Sequence, residues 1–175
     1  INGKLFFVAN DGLKGNELWI TDGSVGGTNM VKDINISGTS GSDPANFTLF
    51  QNKLFFTAND GINGVELYVS DGTLLGTNII KNIHAIASSS PSSLTVFQNK
   101  LFFTADNGFV GQELWVSDGT SAGTNLFMNI NTVAAASSFP ANLFIFQNKL
   151  FFSAFESTNG AELWSSDGTV AGTKM

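Results

Sequence analysis

The chain is predicted to be all-β, a β-propeller-type array of about four four-stranded antiparallel blades whose terminal members are incomplete. Three observations support this prediction. They are a phrase that recurs four times at nearly constant spacing, a strand–turn–strand pattern in front of the later copies, and a composition with 17 Phe and 19 Gly but only 3 Pro. Phe favours strands, and Gly suits the tight turns that join short strands.

The recurring phrase has the form Glu-Leu-aromatic-x-x-Asp-Gly. Its copies occupy 17–23, 66–72, 113–119 and 162–168, at successive offsets of 49, 47 and 49 residues. This period matches the length of one four-stranded propeller blade. A unit of this size cannot bury both of its faces alone, so neighbouring units must stack on one another. We therefore predict a single repeat domain over 1–175.

Each unit contains four predicted strands. The first is short and apolar, at 47–50, 94–97 and 143–146. A Gln-Asn turn joins it to a second strand that begins Lys-Leu-Phe-Phe, at 53–56, 100–103 and 149–152. Two β runs separated by two turn residues are typical of a hairpin. The third strand contains the recurring phrase, and the fourth follows at 29–34, 78–83 and 125–130.

The second strand is apolar on both faces. Adjacent residues of a strand point to opposite sides of the sheet, so Phe55 and Phe56 must lie on different faces. Both faces therefore need cover, which a sheet stacked between two neighbours provides. The predicted units are a partial first blade, two whole blades and a truncated fourth, at 1–34, 47–83, 94–130 and 143–175. We expect an excerpt of a longer propeller, or half of a dimeric ring.

Composition and charge narrow the classes of partner. The net charge is −6, and all eight basic residues are Lys. Without Arg or a basic patch, nucleic acid is an unfavourable partner. No segment approaches the ~20 consecutive apolar residues of a membrane helix, so we expect no membrane insertion. Cys is absent, which leaves no disulfide, thiol nucleophile or thiolate metal site.

The phrase Glu-Leu-Trp-x-x-Asp-Gly-Thr resembles the ELWxxDGT repeat family of bacterial exported or surface-associated proteins. The likeness covers essentially the whole chain and continues through Ala-Gly-Thr at 122–124 and 171–173. The departures are mild, with Tyr68 in place of Trp and Ser24 in place of Thr. The resemblance implies a propeller-like repeat in a large secreted protein. It implies no catalytic residues.

The charged and aromatic residues of the phrase are interpreted as structural repeat positions. They are Glu17, Trp19, Asp22, Glu66, Tyr68, Asp71, Glu113, Trp115, Asp118, Glu162, Trp164 and Asp167. Asp-Gly is ordinary turn chemistry, and aromatic residues supply the largest burial term for packing between blades. An internal partner is then expected for each Trp N–H. The aromatic positions could instead form sugar-stacking platforms.

No cofactor is expected, although calcium is retained as an alternative. Asp11, Asp60 and Asp106 lie in Gly-rich loops, and each is followed by the Glu of the phrase. Carboxylates and loop carbonyls are the ligands that calcium prefers. The loops nevertheless lack the dense Asp-x-Asp spacing of established calcium sites.

The variable segments lie between units, at 35–46, 84–93 and 131–142. Antiparallel order places them at the same end of the blades as the loops that join strands two and three, and binding residues usually lie on loops over a rigid scaffold. We expect a non-catalytic extracellular or cell-surface module for structural or adhesive contact with protein or matrix. The alternative is a lectin-like module that binds glycans between blades. His84 is the only histidine, and no nucleophile-elbow motif surrounds any Ser, so no enzyme is expected.

Overall fold

The computed structural model describes residues 1–175 and contains 14 β-strands and no helix. The strands form four antiparallel sheets of three or four strands, which confirms the all-β prediction. No helix of the length and apolarity needed to cross a membrane is present.

Consecutive strands pair with each other, so every sheet is a simple meander. Sheet 1 contains β1 (Leu5–Asn10), β2 (Asn16–Thr21) and β3 (Asn29–Lys32). Sheet 2 contains β4 (Ala45–Phe50), β5 (Lys53–Asn59), β6 (Val65–Ser70) and β7 (Asn78–Lys81). Sheet 3 contains β8 (Ser92–Phe97), β9 (Lys100–Asp106), β10 (Gln112–Ser117) and β11 (Asn125–Met128). Sheet 4 contains β12 (Ala141–Phe146), β13 (Lys149–Glu156) and β14 (Gly160–Ser166), with one further bridge from Ser165 to Lys174.

The predicted Gln-Asn turns are present. In sheet 2, Gln51 and Asn52 both have positive φ, at 49° and 58°, as the two central residues of a type I′ turn require. The pairs Phe50–Lys53 and Leu49–Leu54 continue the hairpin from this turn.

The first strand of each four-stranded sheet begins two residues earlier than predicted, because it contains a bulge. In sheet 2 the pairing passes from Ala45–Thr57 to Thr48–Phe55, and the extra residue Asn46 has a φ of 57°. The Asn46 side-chain amide donates to the Thr57 hydroxyl at 3.1 Å. A polar residue in the left-handed region therefore extends the strand beyond its apolar run.

The fourth strand ends earlier than predicted. The sequence predicted 29–34, whereas β3 ends at Lys32. The N–H of Ile34 donates to a carboxylate oxygen of Glu17 at 3.1 Å instead of to the neighbouring strand. The same change occurs at Ile83 and Ile130, whose N–H groups donate to Glu66 and Glu113.

The core consists of three apolar clusters, one between each pair of consecutive sheets. Phe56 belongs to the cluster between sheets 1 and 2, and Phe55 belongs to the cluster between sheets 2 and 3. Phe102 and Phe152 contribute to the third cluster, between sheets 3 and 4. The two adjacent Phe residues therefore face different neighbours, as their positions in the sequence predicted.

Candidate functional site

The variable segments and the hairpin loops meet at one end of the sheets, which we call the loop end. It comprises the inter-sheet segments 33–44, 82–91 and 129–140 and the hairpin loops 11–15, 60–64, 107–111 and 157–159. The Gln-Asn turns and the Asp-Gly-Thr loops lie at the opposite end, which we call the turn end. The meander order of the strands fixes this separation.

A buried glutamate holds each inter-sheet segment in place. Glu66 is fully buried and accepts hydrogen bonds from the N–H groups of Ile83, His84 and Ser89 and from the Ser89 hydroxyl. Burial raises the pKa of Glu66 above its usual range, and these hydrogen bonds oppose that rise. The phrase glutamate is therefore a structural anchor for the loop that follows its sheet.

The other two buried glutamates of the phrase, Glu17 and Glu113, hold their segments in the same way. Glu17 accepts from the N–H and hydroxyl of Ser42, and Glu113 accepts from the same two groups of Ser138. Burial raises the pKa of Glu113 as it does that of Glu66. Glu162 is exposed, and it accepts no hydrogen bonds of this kind.

Each inter-sheet segment also bonds to the following sheet. The carbonyl oxygens of Ser42, Ser89 and Ser138 accept from the N–H groups at the ends of β5, β9 and β13, which are those of Asn59, Asp106 and Phe155. One serine thus connects the glutamate of its own sheet to the backbone of the next sheet. This double attachment makes the loop end part of the rigid framework.

The hairpin-loop carboxylates are occupied by internal hydrogen bonds. The Asp60 carboxylate accepts from the N–H groups of Ile62 and Asn63 and from the side chains of Asn63 and Tyr68. Burial raises the pKa of Asp60, but these hydrogen bonds outweigh it and the net direction is downward. Asp11 accepts from the N–H groups at 13 and 14 in the same way. No three His, Asp or Glu residues form a group that could hold a metal ion.

The Asp residues of the phrase form turns at the other end. The Asp118 carboxylate accepts from the hydroxyl and the N–H of Thr120, and these two bonds lower its pKa below the usual 3.8. Asp22, Asp71 and Asp167 make the equivalent bonds in their own loops. These carboxylates therefore close local turns.

Three of the four aromatic residues of the phrase lie between the sheets. Tyr68, Trp115 and Trp164 are buried in the three clusters, and Trp19 is partly exposed on the outer side of sheet 1. The Tyr68 hydroxyl donates to Asp60 at 3.1 Å. The expectation of an internal partner for each Trp N–H is wrong, because the buried indole nitrogens have no protein partner.

Exposed apolar side chains that were not predicted from the sequence recur at the loop end. Leu13, Ile62 and Phe109 occupy corresponding positions in three hairpin loops. A second set lies on the inter-sheet segments, at Ile36, Ile86, Val133 and Phe139. The exposed fractions of these seven side chains range from 53% to 93%. The recurrence of an aliphatic or aromatic residue after Asp-Gly or Asn-Gly was the available sequence signal.

The two sets lie on loops that touch. A Cβ added to Gly61 would lie 2.7 Å from the side-chain oxygen of Asn35, and one added to Gly108 would lie 2.7 Å from Nε2 of His84. Each contact lies close in sequence to an exposed apolar residue of both loops. These residues are Ile36 and Ile62 at the first contact, and Ile86 and Phe109 at the second. At the second contact, a groove of about 170 Å³ is lined by His84, Ala85, Ile86, Asn107, Gly108 and Phe109.

A larger cleft of about 540 Å³ lies between the segment 129–140 and sheet 4. Two exposed aromatic residues, Phe139 and Phe155, form part of its wall. Asn131, Ser138 and Ser157 add polar groups, and the Ser157 hydroxyl donates to the side-chain oxygen of Asn131 at 2.7 Å. The cleft thus combines aromatic surface with hydroxyl and amide groups.

Comparison with known proteins supports the fold. No protein-family model matches the chain, and no curated protein matches it. Puromycin hydrolase superposes on 98% of this chain and 26% of its own, with a TM-score of 0.61 and 14% identity. A prolyl endopeptidase superposes on 98% of this chain and 24% of its own, with a TM-score of 0.60 and 9% identity. Prolyl oligopeptidase B from Galerina marginata superposes on 98% of this chain and 24% of its own, with a TM-score of 0.51 and 14% identity.

These similarities show a propeller-like, all-β arrangement. The chain spans about a quarter of the length of each of these structures. At such low identity the likeness concerns the fold alone.

Proposed function

We propose that this chain is a non-catalytic β-propeller module that binds a protein or matrix partner through its loop end. The observation that carries the proposal is the recurrence of exposed Leu, Ile, Val and Phe side chains on loops that are tied to the sheets. Contiguous apolar surface on a rigid support is typical of protein–protein interaction sites. The four sheets correspond to four blades, of which the first and last are incomplete.

Rigidity supports binding at this surface because a partner need not order the loops. Each anchor glutamate accepts several hydrogen bonds from its segment, and the segment bonds to the next sheet. Loops that are already ordered lose little conformational entropy on association. The exposed apolar groups can therefore contribute to affinity with little ordering cost.

An extracellular or cell-surface location is part of the proposal. The resemblance to the ELWxxDGT repeats of exported bacterial proteins supports it. The same resemblance supports a role in a longer propeller-bearing protein.

The absence of catalysis is also proposed, although the structurally similar proteins include hydrolases. A triad needs a nucleophile within hydrogen-bond reach of its base, and geometry identifies it. The groove beside His84 is lined by Ala, Ile, Asn, Gly and Phe, with no Ser, Thr or carboxylate. The only histidine therefore has neither a nucleophile nor an orienting acid in that groove.

The test compares two quadruple variants on immobilised, enzymatically deglycosylated matrix proteins by surface plasmon resonance. The loop-end variant combines Ile36→Ser, Ile62→Ser, Ile86→Ser and Phe109→Ser. The matched control replaces four exposed aliphatic residues of the turn end, by Val25→Ser, Leu74→Ser, Leu75→Ser and Val170→Ser. We expect the parent chain and the control to bind at least one matrix protein, and the loop-end variant to lose that binding. Binding to none of them, or equal loss in both variants, contradicts the proposal.

The second candidate function is glycan binding in the cleft between the third and fourth blades. Phe139 and Phe155 offer apolar faces for sugar rings, and Ser157 and Asn131 offer hydrogen-bond partners. A glycan array measures this directly. Specific binding that is lost in the Phe139→Ser and Phe155→Ser variants favours the lectin-like function, and an array without binding removes it.

A further inference from the structure

The two terminal sheets each leave one apolar face uncovered. The head face lies on the outer side of sheet 1 and comprises Leu5, Phe7, Ala9 and Trp19. The tail face lies on the outer side of sheet 4 and comprises Phe146, Phe151 and Leu163. Both faces consist of residues whose counterparts in sheets 2 and 3 are buried.

The three internal interfaces show what these faces pack against. In each, one side of the cluster contributes a Leu, a Phe, an Ala and the phrase aromatic, as in Leu101, Phe103, Ala105 and Trp115. Between sheets 2 and 3 and between sheets 3 and 4, the opposite side contributes two Phe and the phrase Leu, as in Phe50, Phe55 and Leu67, together with residues from the fourth strand and the segment after it. Between sheets 1 and 2, the opposite side contributes the phrase Leu with aliphatic residues, and Phe6 is only partly buried there. The head face repeats the first pattern, and the tail face repeats the two Phe and the phrase Leu of the second. The chain therefore exposes side chains that correspond to both sides of the interfaces that it forms three times within itself.

Side-chain exposure shows how incomplete the terminal sheets are. Leu5 is 65% exposed, whereas its counterparts Leu54, Leu101 and Leu150 are at most 3% exposed. Leu163 is 60% exposed, whereas Leu18, Leu67 and Leu114 are fully buried. Burying one such Leu contributes about 1.5–3 kcal/mol. Several unburied side chains on each face thus favour association.

Steric fit at the turn end agrees with the apolar pattern. A Cβ on Gly119 of sheet 3 would lie 3.3 Å from the Gln51 side-chain oxygen of sheet 2. A Cβ on Gly168 would lie 2.5 Å from the same oxygen of Gln98. A Cβ on the corresponding Gly23 of sheet 1 would have no atom within 4 Å, and the corresponding Gln147 of sheet 4 is exposed. The space beside Gly23 is the one that Gln147 of a second chain would occupy.

We propose that a second copy of this chain binds head to tail, with the tail face of one copy packed on the head face of the other. The occupant is identified by the molecule itself, since the chain carries both complementary faces and forms three interfaces of the same kind. The contact is heterologous, so it brings different surfaces of the two copies together and can close into a ring or extend. This association is independent of the partner that the loop end would bind.

The test uses complementary single-face variants in analytical ultracentrifugation. Leu5→Asp disables only the head face, and Leu163→Asp disables only the tail face. Both residues are largely exposed, so the monomer should tolerate the change, which circular dichroism and thermal unfolding verify. The control Val25→Asp changes an exposed aliphatic residue that lies outside both faces.

We expect the parent chain and the control to sediment as species of at least two copies. Each Asp variant alone should sediment as a monomer of 18.5 kDa. An equimolar mixture of the two variants should form a species of twice that mass, because each supplies the face that the other lacks. A monomeric parent chain, or a mixture that stays monomeric while the parent associates, overturns the proposal. Association of Leu163→Asp alone would indicate a head-to-head contact and also overturns it.

Discussion

Ser89 donates its hydroxyl to one carboxylate oxygen of Glu66 at 2.5 Å and its N–H to the other at 3.0 Å. Both residues are fully buried, and they are 23 positions apart in the sequence. This pair attaches the inter-sheet segment to the sheet that precedes it. The structural role of the phrase glutamate depends on this relationship.

Replacement of Ser89 by Ala should destabilise the fold. The variant leaves a buried carboxylate with one donor fewer, and hydrogen bonds to charged groups contribute about 1.5–3 kcal/mol. Urea denaturation measures the change in the free energy of unfolding. Ser121→Ala is the control, since Ser121 is exposed and its change should stay within about 0.5 kcal/mol. Equal stability of both variants would show that Ser89 is not an anchor.

The core could be predicted from the sequence, whereas this anchor could not. The opposite orientations of Phe55 and Phe56 could be predicted, because strand geometry fixes them locally. The pairing of Glu66 with Ser89 could not, because it depends on a loop of variable length. The serine lies 25 residues after Glu17 but 23 after Glu66, so no constant spacing indicates it.

Acid should destabilise the turns that Asp118 and its equivalents close. The pKa of Asp118 is lowered in the folded chain by its bonds to Thr120, so the unfolded chain binds the proton more tightly. The stabilising effect is complete above the usual pKa of 3.8 and is lost as the pH falls through the lower folded value. The Thr120→Val variant should raise the Asp118 pKa toward 3.8, which carboxyl NMR titration measures. An unchanged pKa in Thr120→Val would contradict the assigned cause.

Glu113 should respond to pH in the opposite direction. Burial raises its pKa above the usual 4.5, so the folded chain binds the proton more tightly than the unfolded chain. Its contribution to stability therefore falls as the pH rises through the interval above 4.5. The Glu113→Gln variant should remove this dependence, and urea denaturation across that interval measures it. A variant whose pH dependence equals that of the parent would refute the assignment.

Tyr68 is the only tyrosine, so its ionisation can be followed alone. Burial, followed by the charge of Asp60 and its hydrogen bond, raises the phenol pKa far above the usual 10.0. The Asp60→Asn variant should lower this pKa, because it removes the neighbouring negative charge. Ultraviolet absorbance of tyrosinate against pH measures the change. Asp71→Asn, at the opposite end of the same sheet, is the control and should leave the titration unchanged.

Phe103 and Phe7 occupy the same position of two repeats but should differ in their contribution to stability. Phe103 is fully buried between sheets 2 and 3, whereas Phe7 lies on the uncovered head face. Replacement of a buried Phe by Ala typically costs about 3–5 kcal/mol. Phe103→Ala should reach this range, and Phe7→Ala should cost clearly less at concentrations where the chain is monomeric. Equal losses in thermal unfolding would show that the head face is covered within the monomer.

Gly27 and Gly26 are neighbours in one turn, and replacement by Ala should affect them in opposite ways. A Cβ on Gly27 would collide with the carboxylate of Asp22, whereas a Cβ on Gly26 meets no atom within 4 Å. Gly27→Ala should destabilise the chain by about 1–3 kcal/mol, as overpacking does. Gly26→Ala should stabilise it by about 0.4–1 kcal/mol, because Ala restricts the unfolded chain and fits this conformation. The other repeats agree, since they keep Gly at the position of Gly27 and have Leu or Ala at the position of Gly26. Denaturant midpoints measure both changes. If the midpoints of the two variants shift in the same direction, the Asp22 carboxylate is not what requires Gly at position 27.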